Sequence, residues 1–330
     1  MKGLELSKRY FEAYGIELIR KLELLYPDLK GCFAAGLVGY GSECLGFDDV
    51  ISTDHDFGPS FCLWMPRTLY QLYGEVCQKA YNALPTEFDG YSARRVTAFG
   101  NNRVGVLCTE DFYYGLIGRE NAPETNMEWM ALREDRLLLA SNGEVFLDEY
   151  GQFSEIRKKL LAFYPQDVLL KKLAARCAAM AQSGQYNYGR LSQRGEWTGA
   201  YLSLQEFIKN TCSAVHLLNR KYTPFYKWMH RSLKDMRCLS EIYGLLDQLT
   251  APFDSRQAWG SAVPEDFIYG IINSKDSRAV IIETICQLVI RQLEAEGFSD
   301  AHDMYLEAHA ISMMKKIKDT KIASMQLLEG

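Results

Sequence analysis

Strand-like segments in this 330-residue chain all lie before Gly151, and every patterned segment after it is helical. That one-sided distribution constrains the fold more than any other feature. Apolar runs bounded by glycine or turn residues predict a short strand within Cys32–Ser42 that runs into a glycine turn, and further strands around Asp54–Leu63, at Arg103–Thr109 and at Glu144–Asp148, the last just after the turn signal Asn142-Gly143. Helical patterns stand among them: residues 1–30, with Leu6, Tyr10, Phe11, Ile16, Leu18 and Leu22 apolar, and residues 68–83. Strands alternating with helices predict an α/β domain over residues 1–150. From 151 to 330 the periodicity is 3.6-type in Lys158–Ala162, Val168–Gln182, Leu202–Leu218, Phe225–Leu246, Ala279–Glu296 and His302–Lys318, which predicts an all-α domain. Thr223-Pro224 reads as a helix start, and Gly184 and Gly297 read as residues just past helix ends.

Charge follows the same division. Residues 1–150 hold 14 basic and 23 acidic side chains, and residues 151–330 hold 23 and 19, for a net −5 overall. An acidic chain without a long basic stripe argues against a polymerase or tRNA-modifying enzyme and against long nucleic acid as a partner. The nine cysteines contain no Cys-x-x-Cys pair and are odd in number, which predicts reduced, mostly buried thiols and a cytoplasmic protein. The sequence shows no signal peptide, and no apolar run reaches the ~20 residues of a membrane span.

Chemistry concentrates in Val38-Gly39-Tyr40-Gly41-Ser42 and Ser52-Thr53-Asp54-His55-Asp56-Phe57-Gly58. There is no Gly-Lys-Ser/Thr phosphate loop, and Cys44 stands where a dinucleotide fingerprint needs its third glycine. What remains is an apolar strand, Gly-Ser, eleven residues, then Asp-x-Asp. On an extended strand Asp54 and Asp56 share a face, and two carboxylates that close need a cation. Gly41 and Ser42 offer backbone N–H groups and a hydroxyl to phosphate. Metal-holding carboxylates opposite a phosphate cradle are the parts of metal-assisted phosphoryl or nucleotidyl transfer, although an Asp-x-Asp alone also suits a solvated strand end.

Gly41-Ser42 with Asp54-x-Asp56 resembles the signature of the polymerase-β-type nucleotidyltransferase superfamily, which includes aminoglycoside nucleotidyltransferases. More closely, the chain resembles DUF4037, a bacterial family of unknown function. The resembling stretches are Gly39–Glu43, Asp54–Pro59, Gly143–Phe146, Tyr164–Val168, Gln193–Glu196, Leu217–Tyr222 and Pro224–Trp228. The resemblance implies a polymerase-β-like nucleotidyltransferase domain followed by a helical domain, with metal (Mg²⁺ or Mn²⁺) and a nucleoside triphosphate in a cleft between them. It implies a third carboxylate on a neighbouring strand. The strand at 103–109 has none in its middle, and Glu110, sharing a face with Val104, Val106 and Cys108, is the expected third acid, ahead of Asp111 and Asp89.

In the helical half, Lys227, one turn into the expected Thr223-Pro224 helix, suits a polyphosphate tail, and Tyr222 or Tyr226 suits a base. The same lysine also fits a solvated helix face. Arg194, Arg190 and Lys209 are further cations for phosphate or for plain surface, and Glu206 is a candidate proton acceptor or a solvated acid. Arg94-Arg95 fit either phosphate contact or an ordinary strand edge. His55 is expected to face away from the aspartates. No arginine of 151–330 has the histidine spacing of an RNase-type partner domain. The expected activity is metal-dependent transfer of a nucleoside monophosphate from an NTP, ATP first, to a hydroxyl of a small molecule or protein. The alternative is a catalytically weak or inactive nucleotide-binding regulatory protein on the same fold.

Overall fold

The computed structural model describes residues 1–49, 57–92, 94, 103–251 and 273–330. Asp54, His55, Asp56 and Arg95 therefore lie outside the described residues. The chain divides into two compact units, 1–123 with 136–163, and 124–135 with 164–330. The division falls at other points than 150/151, because the helix Gln152–Leu161 packs with the first unit and residues 124–135 with the second.

Among the described residues the first unit is built on a four-stranded mixed sheet: β1 Ala34–Leu37, β2 Cys62–Met65, β3 Gly105–Cys108 and β4 Glu144–Asp148, in the order β3-β2-β1-β4. β1 is antiparallel to both neighbours, while β2 and β3 run parallel, joined through a connection that contains the helix Arg67–Asn82. Period-2 alternation sets the two faces of β2. Leu63 and Met65 join a core with Phe61, Phe33, Tyr10 and Phe11. Trp64, on the opposite face, stacks on Phe153 with centroids 3.9 Å apart and meets Phe112 edge-on at 5.3 Å. β1 is buried along its whole length. At Gly36 an added Cβ would stand 2.4 Å from the Glu144 carbonyl oxygen, so only glycine admits the β4 backbone at this bulged register.

The N-terminal helical run is interrupted by a π-helical segment, Phe11–Gly15, between Gly3–Tyr10 and Ile16–Leu25. The extra residue per turn keeps Phe11 and Leu18 on the buried face, and Gly15 leaves room for the Phe11 ring against Phe61.

The second unit is helical: Gln166–Met180, the π-helical segment Ala181–Tyr188, Gly189–Gln193, Trp197–Leu218, Ile242–Thr250, Ser277–Ala295 and Leu306–Lys315, with shorter turns. Gly297 ends its helix as expected: its N–H bonds Glu294 O at 2.9 Å and the Phe298 N–H bonds Leu293 O at 2.9 Å, the paired bonds of a Schellman motif. Gly184 does not end a helix. It sits inside the π-helical segment, where a Cβ would lie 2.4 Å from the Phe207 ring, so it is a helix-packing glycine. The expected helix Phe225–Leu246 is likewise broken, into Tyr226–Met229, a 3-10 turn at Arg231–Leu233 and Ile242–Thr250. The Asn219 side chain holds the intervening chain by bonding both the N–H and the carbonyl of Cys238, each at 3.0 Å.

All nine cysteines are free thiols, eight buried and Cys238 partly exposed. Burial pushes the thiols of Cys62, Cys177 and Cys212 up to about 12. Among the described residues no helix is long and apolar enough to cross a membrane.

Candidate functional site

β1 runs into a turn with two glycines in the left-handed half of conformational space, Gly39 at φ +116° and Gly41 at φ +119°. A non-glycine residue at either place would be strained. The turn is braced from 103 residues away. Asn142 accepts from the Gly39 N–H and donates to the Gly39 carbonyl, both at 2.8 Å, in a buried contact. Gly143 at φ +62° follows, and a Cβ there would collide with the Leu37 carbonyl oxygen at 1.9 Å. The Asn142-Gly143 pair thus does more than turn the chain into β4: it clips the glycine turn in place.

Ser42 precedes only a three-residue 3-10 turn, Glu43–Leu45, and its carbonyl accepts from Leu45 and Phe47 N–H at 3.1 and 2.9 Å. The expected helix start is therefore a single turn, and any phosphate cradle here rests on the shape of the Gly39–Ser42 backbone. Glu43 is buried and pairs with Arg94 at 3.0 Å, the two side chains 5% and 7% exposed. Arg94 also donates to Ser60 Oγ at 3.2 Å, so its guanidinium is committed to these partners and is not an open strand-edge charge. Tyr40 carries two guanidinium groups on its ring, Arg103 at 5.0 Å and Arg136 at 5.9 Å, and Arg136 also donates to the Tyr40 hydroxyl. A cleft of 1240 Å³ opens beside the turn, with Gly39, Tyr40, Tyr70, Gln78, Arg103 and Phe112 among its lining residues.

Glu110 does not stand at the end of a strand. β3 stops at Cys108, and Thr109-Glu110-Asp111 form the first turn of the helix Thr109–Ile117, where acidic side chains suit the dipole. The Glu110 carboxylate accepts from the Arg67 N–H at 2.9 Å, Gln152 Nε2 at 3.0 Å and Cys108 Sγ at 3.3 Å. Burial pushes its carboxyl up, and these hydrogen bonds outweigh it, holding the group below the usual carboxylate range. Asp111 pairs with Arg67 at 2.8 Å, and Asp89 pairs with Arg9 at 2.8 Å.

In the second unit, Thr223 does not cap a helix. Its hydroxyl donates to buried Glu134, and the helix begins only at Tyr226. Lys227 therefore lies in the first turn of a four-residue helix, exposed, its ammonium 4.8 Å from the Trp228 ring centroid. Tyr222 is 5% exposed and packs edge-on against Tyr164 at 5.2 Å, so its faces belong to the core, and Tyr226 is the open ring of this arm. Arg194 is exposed after the helix Gly189–Gln193, and Arg190 lies over the Tyr186 ring at 4.5 Å. Glu206 and Lys209 are exposed and approach each other at 3.8 Å, with Asn210 donating to Glu206 at 2.7 Å.

Among the described residues no group of three or more His, Cys, Asp or Glu side chains stands together as a metal site. Sequence reasoning did not assign Asn142, Glu43, Arg103 and Arg136 to the turn. Glu43 and Asn142 were visible as members of their motifs; nothing local marked the two arginines.

These elements define an α/β unit with a mixed sheet and a braced glycine turn, and a second unit that is helical among its described residues. Residues 129–229 match the family model described as "Domain of unknown function (DUF4037)", in keeping with the resemblance carried by the motifs. No curated protein matches the chain. The crystal structure of a nucleotidyltransferase-like protein from Exiguobacterium sibiricum 255-15 is similar over 91% of this chain and 88% of that one, at 10% identity and a TM-score of 0.34. A superposition this loose defines neither fold nor function by itself.

Proposed function

We propose that the chain is a metal-dependent nucleotidyltransferase, moving a nucleoside monophosphate from an NTP, with ATP as the first choice, to a hydroxyl of a small molecule or a protein. The observation that carries this reading is the doubly glycine-bent turn after β1, clipped by Asn142 and followed at eleven residues' spacing by Asp54-x-Asp56. A rigid turn of this shape suits the oxygens of a triphosphate.

Asp54 and Asp56 supply carboxylate oxygens, a donor set suited to Mg²⁺ or Mn²⁺. When bound, the metal supplies charge neutralisation and polarisation at the phosphoryl oxygens. In this reading the Gly39–Ser42 backbone and the Ser42 hydroxyl hold the phosphates, and Arg103 and Arg136 beside Tyr40 add positive charge. Lys227 and Arg194 are the cations proposed from the helical unit, with Tyr226 in place of Tyr222 for the base. An acceptor hydroxyl attacks the α-phosphorus in line: the new O–P bond forms, the bond to pyrophosphate breaks, and the hydroxyl proton leaves to solvent. A cytoplasmic setting belongs to the same proposal, supported by nine free thiols.

One observation favours the second reading, a nucleotide-binding regulatory protein. The Glu110 carboxylate already accepts from Arg67, Gln152 and Cys108, and β3 carries no acid of its own. Calorimetry with ATP and Mg²⁺, beside a pyrophosphate-release assay over hydroxyl acceptors, separates the two. Release that disappears in Asp54→Ala and Asp56→Ala supports the transferase. Binding with no release on any acceptor selects the regulatory protein, and absence of nucleotide binding ends both.

A further inference from the structure

We infer that Glu43, acting through Arg94, is the positioning residue of the Gly41-Ser42 turn, tying it to the chain that emerges from the Asp-x-Asp segment. Its bearing on nucleotide binding rests on the transferase reading above.

The argument starts at Gly41. A Cβ on that residue would stand 2.4 Å from Glu43 Oε2 and 2.7 Å from Oε1, so the carboxylate lies directly against the turn. The turn cannot shift toward Glu43 without moving this group. Glu43 in turn is held by Arg94 at 3.0 Å, and both side chains are almost fully buried. Arg94 is two-headed. Its second nitrogen donates to Ser60 Oγ at 3.2 Å, and Ser60 Oγ donates to the Gly58 carbonyl at 3.2 Å. The two backbones also meet: Gly58, at φ +147°, lies so close that a Cβ there would be 2.8 Å from the Arg94 backbone nitrogen. Thus one guanidinium joins the glycine turn to residues 58–60, which follow Asp56 in sequence. The N-terminal helix backs the corner. At Gly3 an added Cβ would meet Glu43 Cβ at 2.7 Å and the Phe57 ring at 3.0 Å.

A buried ion pair is a poor device for stability, because desolvating both charges offsets most of their attraction. Its directional bonds serve better to fix register between segments. Here those segments are the proposed phosphate turn and residues 58–60, the first stretch of chain after Asp54-x-Asp56 in sequence.

The test uses Glu43→Gln, which keeps shape and removes charge, and Arg94→Lys, which keeps charge and loses the second head. Amide hydrogen exchange over residues 39–46 reads the turn, and calorimetry with ATP and Mg²⁺ reads the ligand. The expected result is a loss of protection over 39–46 of about ten-fold or more in each variant, unchanged exchange in the Trp197–Leu218 helix, and a Kd for ATP raised about ten-fold. Unchanged protection over 39–46 in a folded variant overturns the inference, as does a loosened turn with unaltered ATP affinity. Should the wild-type chain bind no ATP, the transferase reading falls, and the exchange data still decide whether Glu43 and Arg94 hold the turn. If one variant does not fold, the other carries the test.

Discussion

Thr223 donates its hydroxyl to the buried carboxylate of Glu134, 89 residues earlier in the chain. The same carboxylate accepts from Arg176 at 3.2 Å and from Ser213 at 3.2 Å, with Lys172 buried nearby. One anion thus compensates two cations inside the helical unit.

Glu134→Ala leaves those cations without their partner and is expected to cost about 3–5 kcal/mol, while Thr223→Val removes one hydrogen bond and costs about 1–3 kcal/mol. Urea denaturation of the purified chain checks both. Burial pushes the Glu134 carboxyl up, but Arg176, Lys172 and the Thr223 hydroxyl outweigh it and hold it below the usual value. A depressed carboxylate contributes stability that is present above its unfolded pKa and lost as pH falls through the folded one. Acid sensitivity below pH 4.5 should therefore shrink in Glu134→Gln.

His216 works over a higher window. Burial pushes its imidazole down to about 4, although the Cys212 carbonyl, 2.6 Å from Nδ1, pulls the other way. The folded pKa lies below the unfolded 6.5, so the unfolded state takes up the proton first. Stability is full above pH 6.5 and declines as pH falls toward 4, by about 3 kcal/mol over the window. Equilibrium denaturation of wild type and His216→Gln at pH 7 and 4.5 measures this; equal pH slopes in the two would refute the assignment.

Asn142→Ala strips the Gly39 N–H and carbonyl of their buried partners and is expected to destabilise by about 1–3 kcal/mol. Asn142→Asp keeps the acceptor and loses the donor, so it should fall between. Chemical denaturation ranks the three, and equal stability of Ala and wild type would show that the brace is dispensable.

Gly184→Ala drives a methyl into the Phe207 ring and the Ile282 side chain, which lie 2.4 and 2.9 Å from the new Cβ. Overpacking of this kind costs about 1–3 kcal/mol, with a lower thermal midpoint as the readout. Gly297→Ala, at an exposed helix end with nothing within 4 Å, should cost less, limited to the strain at φ +67°.

The parts of the fold that the sequence made legible are those whose signal lies within the segment. β4 is bounded as the Asn-Gly turn predicts, β1 and β3 form the centres of longer apolar runs, and β2 begins only at Cys62, at the far end of the expected Asp54–Leu63 strand. What could not be read depends on partners far along the chain. Thr223 followed by proline has every local mark of a helix start, yet Glu134 takes its hydroxyl. Glu110 extends an alternating pattern, yet Arg67 and Gln152 draw its carboxylate into a helix start. Gly184 looked like a stop because nothing nearby in sequence announces Phe207. At the candidate site, the glycine turn was legible and its braces were not, since Asn142 and Arg94 reach it from 103 and 51 residues away.

The free thiols equip the molecule with its own reporters of partial opening. Five of them, Cys32, Cys44, Cys62, Cys77 and Cys108, belong to the sheet unit, and Cys177, Cys212, Cys238 and Cys286 to the helical one. A thiol-reactive label meets Cys238 first, and each further modified site marks a breathing event in an identifiable place. Mass-resolved labelling of the unmodified chain would thus time the loosening of each unit separately, with no probe engineered into either.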